Sequence, residues 1–124
     1  MTRRRFFGGK EEPLPEITYV KDRYIDATGA VTGGSGWYYT VAMPIHAGDK
    51  VTHKGYVGAA TSAIFVYNVD NSTRTNKVTG SGSTQYKTYT WTANTDCYVG
   101  FSAKFGATLP KFYLNDVELV ITNP

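Results

Sequence analysis

Between Cys97 and Phe105 the chain reads CYVGFSAKF, with Cys97, Val99, Phe101, Ala103 and Phe105 on one parity and Tyr98, Gly100, Ser102 and Lys104 on the other. A period of two marks a strand with one buried face, because successive side chains leave a pleated backbone on opposite sides. This assigns Cys97 to the core as a small hydrophobe. No stretch of useful length carries a helical period. Instead, segments of strand length (ITYVKDRYID, WYYTVAMPI, VTHKGYV, AIFVYNV, YKTYTWTA, KFYLNDVELVI) alternate with turn signals rich in Gly, Asp, Asn and Ser. In 124 residues, 41% hydrophobic with 10 Tyr, 6 Phe and 2 Trp, that pattern predicts one all-β domain, an antiparallel β-sandwich around a single core.

The segments differ in what they promise. Ile17 and Tyr19 share a face before the alternation of the first segment is lost. ATGAVTGGSG reads as a loop, and HAGDK as a turn in which Gly48 needs positive φ. The continuous apolar run AIFVYNV suits a central strand. DNSTRTNKVTGSGSTQ reads as a long polar loop with room for a short edge strand. Tyr89 and Trp91 share a face opposite Tyr86, Thr88 and Thr90, and that face is read as core. In KFYLNDVELVI the apolar parity switches at Asn115-Asp116, which predicts a bulge or kink there.

Charge is concentrated at the start. Residues 1–12 hold Arg3, Arg4, Arg5 and Lys10 against Glu11 and Glu12, a net of +2, and the whole chain is +3, so residues 13–124 carry only +1. A nearly neutral body predicts no basic face and no nucleic-acid partner. No window holds the roughly 18 apolar residues of a membrane span. No signal-peptide core follows the arginines, so a soluble, unprocessed chain is expected. Cys97 is the single cysteine, which leaves no intrachain disulfide and no cysteine-based zinc site.

The opening MTRRRFFGGKEEPLP therefore reads as a separate arm, residues 1–15, ahead of a sandwich over 16–124. Pro13 and Pro15 favour extended backbone. Two adjacent phenylalanines are costly to leave in water, since burying one fully is worth roughly 1.5–3 kcal/mol. Gly8-Gly9 stops the helix a membrane anchor would need. Phe and Arg are enriched in interface cores, so Arg3, Arg4, Arg5, Phe6 and Phe7 are assigned to docking on a protein partner, with Gly8-Gly9 as hinge.

Chemistry-bearing residues are sparse. His46 lies in a turn and His53 on the next strand, with no triad in view. Asp49, Asp96 and Asp116 sit in or beside turns, where Asp is favoured for local hydrogen bonds. GGSG and GSGS lack the lysine and helix of a phosphate loop. The expectation is no enzyme and no cofactor. Trp37, Tyr38 and Tyr39 are candidate glycan contacts, because sugars stack on aromatic faces.

WYYTVAMPIHAGDKVTHKGYV resembles the early strands of galactose-binding-like jelly rolls, and KFYLNDVELVI resembles their closing strand, so the likeness spans roughly residues 17–122. The resemblance implies a jelly-roll-like sandwich, and with it a structural calcium ion held by loop carbonyls and Asp116, with Asp26 or Asp22 nearby. The Arg-rich start followed by Phe-Phe is similar to short structural proteins of crAss-like and related tailed phages. Together these imply a capsid decoration or auxiliary virion protein on the capsid surface, anchored to another virion protein by its arm. The alternative is a carbohydrate-binding module for glycan recognition or host adhesion.

Overall fold

The structure, a computed structural model, describes residues 4–7, 10–105 and 108–122, with residues 4–7 and 10–12 described by backbone alone. It is all-β: two sheets packed as a sandwich, with a small hairpin at the start.

The arm holds β1 (Arg4–Phe7) and β2 (Lys10–Pro13), extended backbone that doubles back antiparallel with Phe7 opposite Lys10. This hairpin is a two-stranded sheet of its own, outside the ladders of the two larger sheets. The side chains assigned to docking, and the hinge at Gly8-Gly9, lie outside the described residues.

The larger sheet is built from β3 (Glu16–Ile25), β4 (Val31–Thr40), β5 (Met43–Ile45), β7 (Ser62–Asn68), β8 (Thr73–Thr79), β10 (Cys97–Lys104) and β13 (Val120–Thr122). Its order is β13–β3–β4–β10–β7–β8, with β5 also paired to β10. The smaller sheet, of order β12–β11–β6–β9, takes β6 (Lys50–Val57), β9 (Gly82–Thr92), β11 (Lys111–Leu114) and β12 (Val117–Glu118). All ladders are antiparallel except β13 on β3.

The core follows from the parities. β10 sends Val99, Phe101 and Ala103 inward, β6 sends Val51, His53 and Val57, and β11 sends Phe112 and Leu114, all of them buried. Phe101 and Phe112 stack across the two sheets with ring centroids 4.5 Å apart. Tyr89 is buried and Trp91 packs against the same cluster, as the β9 pattern predicts. Cys97 is half-buried against this core, where loss of solvent raises its thiol pKa.

Two expectations are corrected. The parity switch at Asn115-Asp116 is neither a bulge nor a kink within one strand. Leu114 pairs Val117, and both turn residues have positive φ (49° and 66°), so the chain reverses in a two-residue hairpin. The Asn115 side chain ties the turn down: its Oδ1 accepts from Lys50 N (2.9 Å) and its Nδ2 donates to the buried Asp49 Oδ1 (2.9 Å). Asn and Asp tolerate the left-handed region through such local bonds. The second correction concerns ATGAVTGGSG. Only Asp26–Ala30 turn, and Val31 onward is already β4.

The β3–β4 hairpin is bent. Lys21 pairs Tyr38 while Arg23 pairs Gly33, so four residues of β4 oppose the single Asp22, whose φ is +59°. Asp22 Oδ1 accepts from Gly36 N (3.1 Å) and holds the bulge. Beyond it the hairpin tip lies over the outer face of the large sheet. Ile25 N donates to Ser102 Oγ of β10 (3.0 Å), Asp26 bridges Thr61, and Ala27 N donates to Ala60 O (2.8 Å).

Candidate functional site

An open aromatic groove lies on the outer face of the large sheet, beside that folded-over tip. Its position follows from a break in the sheet. The C-terminal half of β10 pairs β4 (Ser102 opposite Tyr39) and its N-terminal half pairs β5 (Val99 opposite Met43). Between the two partners, Val41 and Ala42 leave the ladder. Phe101 N would be stranded there, and Thr40 Oγ1 accepts its hydrogen bond instead (2.9 Å), with both residues buried. Val41 itself turns outward and is 51% exposed.

The floor comes from register. Tyr98 of β10 pairs Tyr67 of β7, and Tyr67 pairs Arg74 of β8, so three side chains form a row straight across the strands. Residues directly opposite in a sheet share a face and touch. Tyr39 adds a fourth on the same face from β4. The Arg74 guanidinium lies 5.0 Å from the Tyr67 ring centre and 5.3 Å from that of Tyr39, within cation–π range of both. Beneath them Phe65 is fully buried although it sits on the outer parity. Its ring lies over Gly100, where an added Cβ would come 2.4 Å from Phe65 Cζ. Gly100 thus gives Phe65 a seat flush with the sheet, and Phe65 supports Arg74 at 6.0 Å from its ring centre.

The resulting cleft has a volume of about 450 Å³ and is lined by Val20, Tyr39, Val41, Ala42, Tyr67, Val69, Arg74 and Tyr98. Val69 is 56% and Tyr98 42% exposed, so with Val41 three of the chain's exposed large apolar side chains meet here. An open cleft with aromatic walls and few polar groups is the form of a ligand site.

The Trp37-Tyr38-Tyr39 set does not act as one platform. Strand alternation divides it. Tyr38 points to the inner side, stacked on Phe105 (4.2 Å) and edge-on to Tyr19 (5.1 Å). Trp37 packs on Tyr24 (5.4 Å) near Gly58, under the hairpin tip. Only Tyr39 lines the groove. Tyr67, Tyr98 and Arg74 went unassigned, because they sit on three different strands and only register joins them. Their one legible signal is Tyr67, embedded in AIFVYNV with an aromatic at two-residue spacing.

The remaining candidates are built into the fold. Asp26 Oδ1 accepts from Thr28 Oγ1 (2.6 Å), Thr28 N (2.9 Å) and Ala30 N (3.0 Å), and Oδ2 accepts from Thr32 Oγ1 (2.9 Å). The Thr28 hydroxyl, with the other donors, draws its pKa down to about 2. Asp116 sits in a different turn with Lys50 Nζ 2.8 Å away. Asp116 and Asp26, and Asp22 with its bond from Gly36 N, thus already have protein donors, and among the described residues no group of three His, Cys, Asp or Glu gathers for a metal ion. Asp49 and Asp96 hold the HAGDK turn: Asp49 Oδ2 accepts from His46 N (2.8 Å) and Asp96 Oδ1 from Ala47 N (2.9 Å). Gly48 has φ +91°, as expected.

His53 is fully buried, packed against Phe112 (4.8 Å between ring centres), Tyr89 and Phe101. Its Nδ1 lies 3.1 Å from Ala63 O, a carbonyl where β7 slips register between Ser62 and Ile64. A carbonyl only accepts, so Nδ1 carries the proton, and Nε2 is left a bare acceptor without a partner among the described residues. Burial pushes its pKa down to about 4. The role is structural.

Comparison of the chain with protein-family models, with curated proteins and with solved structures finds no match.

Proposed function

We propose that the chain is a non-enzymatic binding module that takes a glycan on the Tyr39–Tyr67–Tyr98 groove. The observation that supports this reading is the cross-strand row Tyr98–Tyr67–Arg74, which lays two aromatic rings and a cation side by side on an open surface. A pyranose offers an apolar C–H face to such rings and hydroxyls to the phenols and guanidinium around them. The galactose-binding-like resemblance points the same way. The test is a glycan array followed by titration of any hit. Tyr67→Ala and Tyr98→Ala are expected to weaken binding by about tenfold or more each, as central aromatic contacts do. Tyr86→Ala, on β9 of the opposite sheet, is expected to leave binding unchanged. Equal affinity for wild type and both groove variants would remove this reading.

A second reading has its own support. The β1–β2 hairpin is a separate two-stranded sheet, and an isolated hairpin of that size is marginal in water. It suits an element completed by a partner, as in a capsid decoration protein held to a virion by its arm. Many copies held in this way would give an adhesive glycan groove avidity. Deleting residues 1–9 is expected to abolish co-sedimentation with phage particles while leaving the thermal melting of the sandwich in place. Undiminished co-sedimentation of the truncated chain would refute the anchoring role.

A further inference from the structure

We infer that the groove selects an acidic sugar, a uronic acid or similar carboxylated unit within a glycan, with Arg74 reading the carboxylate. The inference rests on the glycan reading above and adds the ligand's charge. Among the described residues Arg74 is the one charged residue lining the cleft, and no carboxylate shares that lining. Among the described residues no ion pair engages it. Its guanidinium lies over the rings of Tyr39 and Tyr67, an arrangement that steadies it while leaving its N–H donors for another group. A guanidinium so placed presents parallel donors that match a carboxylate bidentately, and aromatic neighbours reduce the competing solvent.

The surroundings set the direction in which such a ligand lies. On the other side of the Tyr67–Tyr98 pair, the adjoining cleft is lined by Asp70 and Asp96. A carboxylated sugar is therefore drawn to the Arg74 end and repelled from the far end. A neutral sugar has no such preference.

The experiment titrates the full chain with polygalacturonate and with the same polymer methyl-esterified, at low and at raised salt. Polygalacturonate is expected to bind, esterification to weaken binding roughly tenfold to a hundredfold, and salt to weaken it further. Arg74→Gln is expected to erase the difference between the polymers. Arg74→Lys keeps the charge but loses the fork and the stacking, and is expected to recover only part of it. Thermal melting of each variant shows whether Phe65 stays covered. If the esterified polymer or neutral glycans bind as well as polygalacturonate, and Arg74→Gln leaves them unaffected, the charge selection is wrong while the glycan reading stands. If no glycan binds, acidic or neutral, both fall.

Discussion

Replacing Gly29 with alanine is expected to destabilise the protein by about 3 kcal/mol and to weaken the groove at the same time. Gly29 closes the β3–β4 hairpin tip at φ +90°, with its N–H donating to Asp26 O (2.9 Å). A Cβ added there would sit 2.0 Å from the backbone carbonyl oxygen of Arg74. Two costs combine. Left-handed backbone costs an alanine roughly 1–2 kcal/mol relative to glycine. The contact with a backbone atom adds to this, because a carbonyl in a strand ladder cannot swing aside as a side chain can. The tip must lift off β8, or β8 must shift and carry Arg74 with it. Gly36 separates the two costs: its φ is +79°, yet nothing lies within 4 Å of an added Cβ. Gly36→Ala is therefore expected to cost only about 1 kcal/mol, from backbone strain alone. Urea unfolding of the two variants measures the difference, and equal losses would show that the close approach of tip to β8 has no energetic weight. Gly29→Asn sharpens the comparison, since asparagine tolerates positive φ but keeps the Cβ; it is expected to stay close to the alanine variant.

That coupling of a loop tip to a distant strand shows where the sequence was readable and where it was not. The β10 alternation and the apolar run of β7 declared both strands, because a half-buried strand writes its burial into its own parity. Gly48 was legible for a similarly local reason. Tyr67, Tyr98 and Arg74 are a different matter. Nothing local marks them, and they become one surface only because Tyr98, Tyr67 and Arg74 fall opposite one another. The Asn115-Asp116 turn shows the same limit from the other side. A change of apolar parity is compatible with a bulge or with a reversal of the chain, and the choice fell to hydrogen bonds from Asn115 to Lys50 and Asp49, far away in sequence. Trp37, Tyr38 and Tyr39 divide because adjacent aromatics in a strand serve opposite faces, and only Tyr39 reaches the groove. Register, a long-range quantity, made the candidate site.

Acidification is expected to weaken the sandwich through His53, in a window above that of Asp26. The folded-state pKa is about 4 against 6.5 for the free side chain. Between these values the unfolded chain binds a proton that the folded chain refuses. The stability this neutral imidazole carries is complete above pH 6.5 and is lost progressively as pH falls toward 4, by about 3 kcal/mol in total. The cause is desolvation: Nε2 lies buried beside Gly55 and, among the described residues, a proton placed there has no acceptor. Asp26 acts lower. Its folded pKa of about 2 lies below the usual 3.8, so its contribution is present above pH 3.8 and fades only toward 2. His53→Leu isolates the first effect. At pH 7 it is expected to be less stable than wild type by about 1 kcal/mol, because Ala63 O loses its donor. Near pH 4.5 it is expected to be the more stable of the two, since it has no imidazole to protonate. Urea unfolding across pH 4 to 7 would show the two stability curves crossing. Parallel curves would mean that the core admits a charged His53 at little cost, and that Nε2 finds a partner when it takes up its proton.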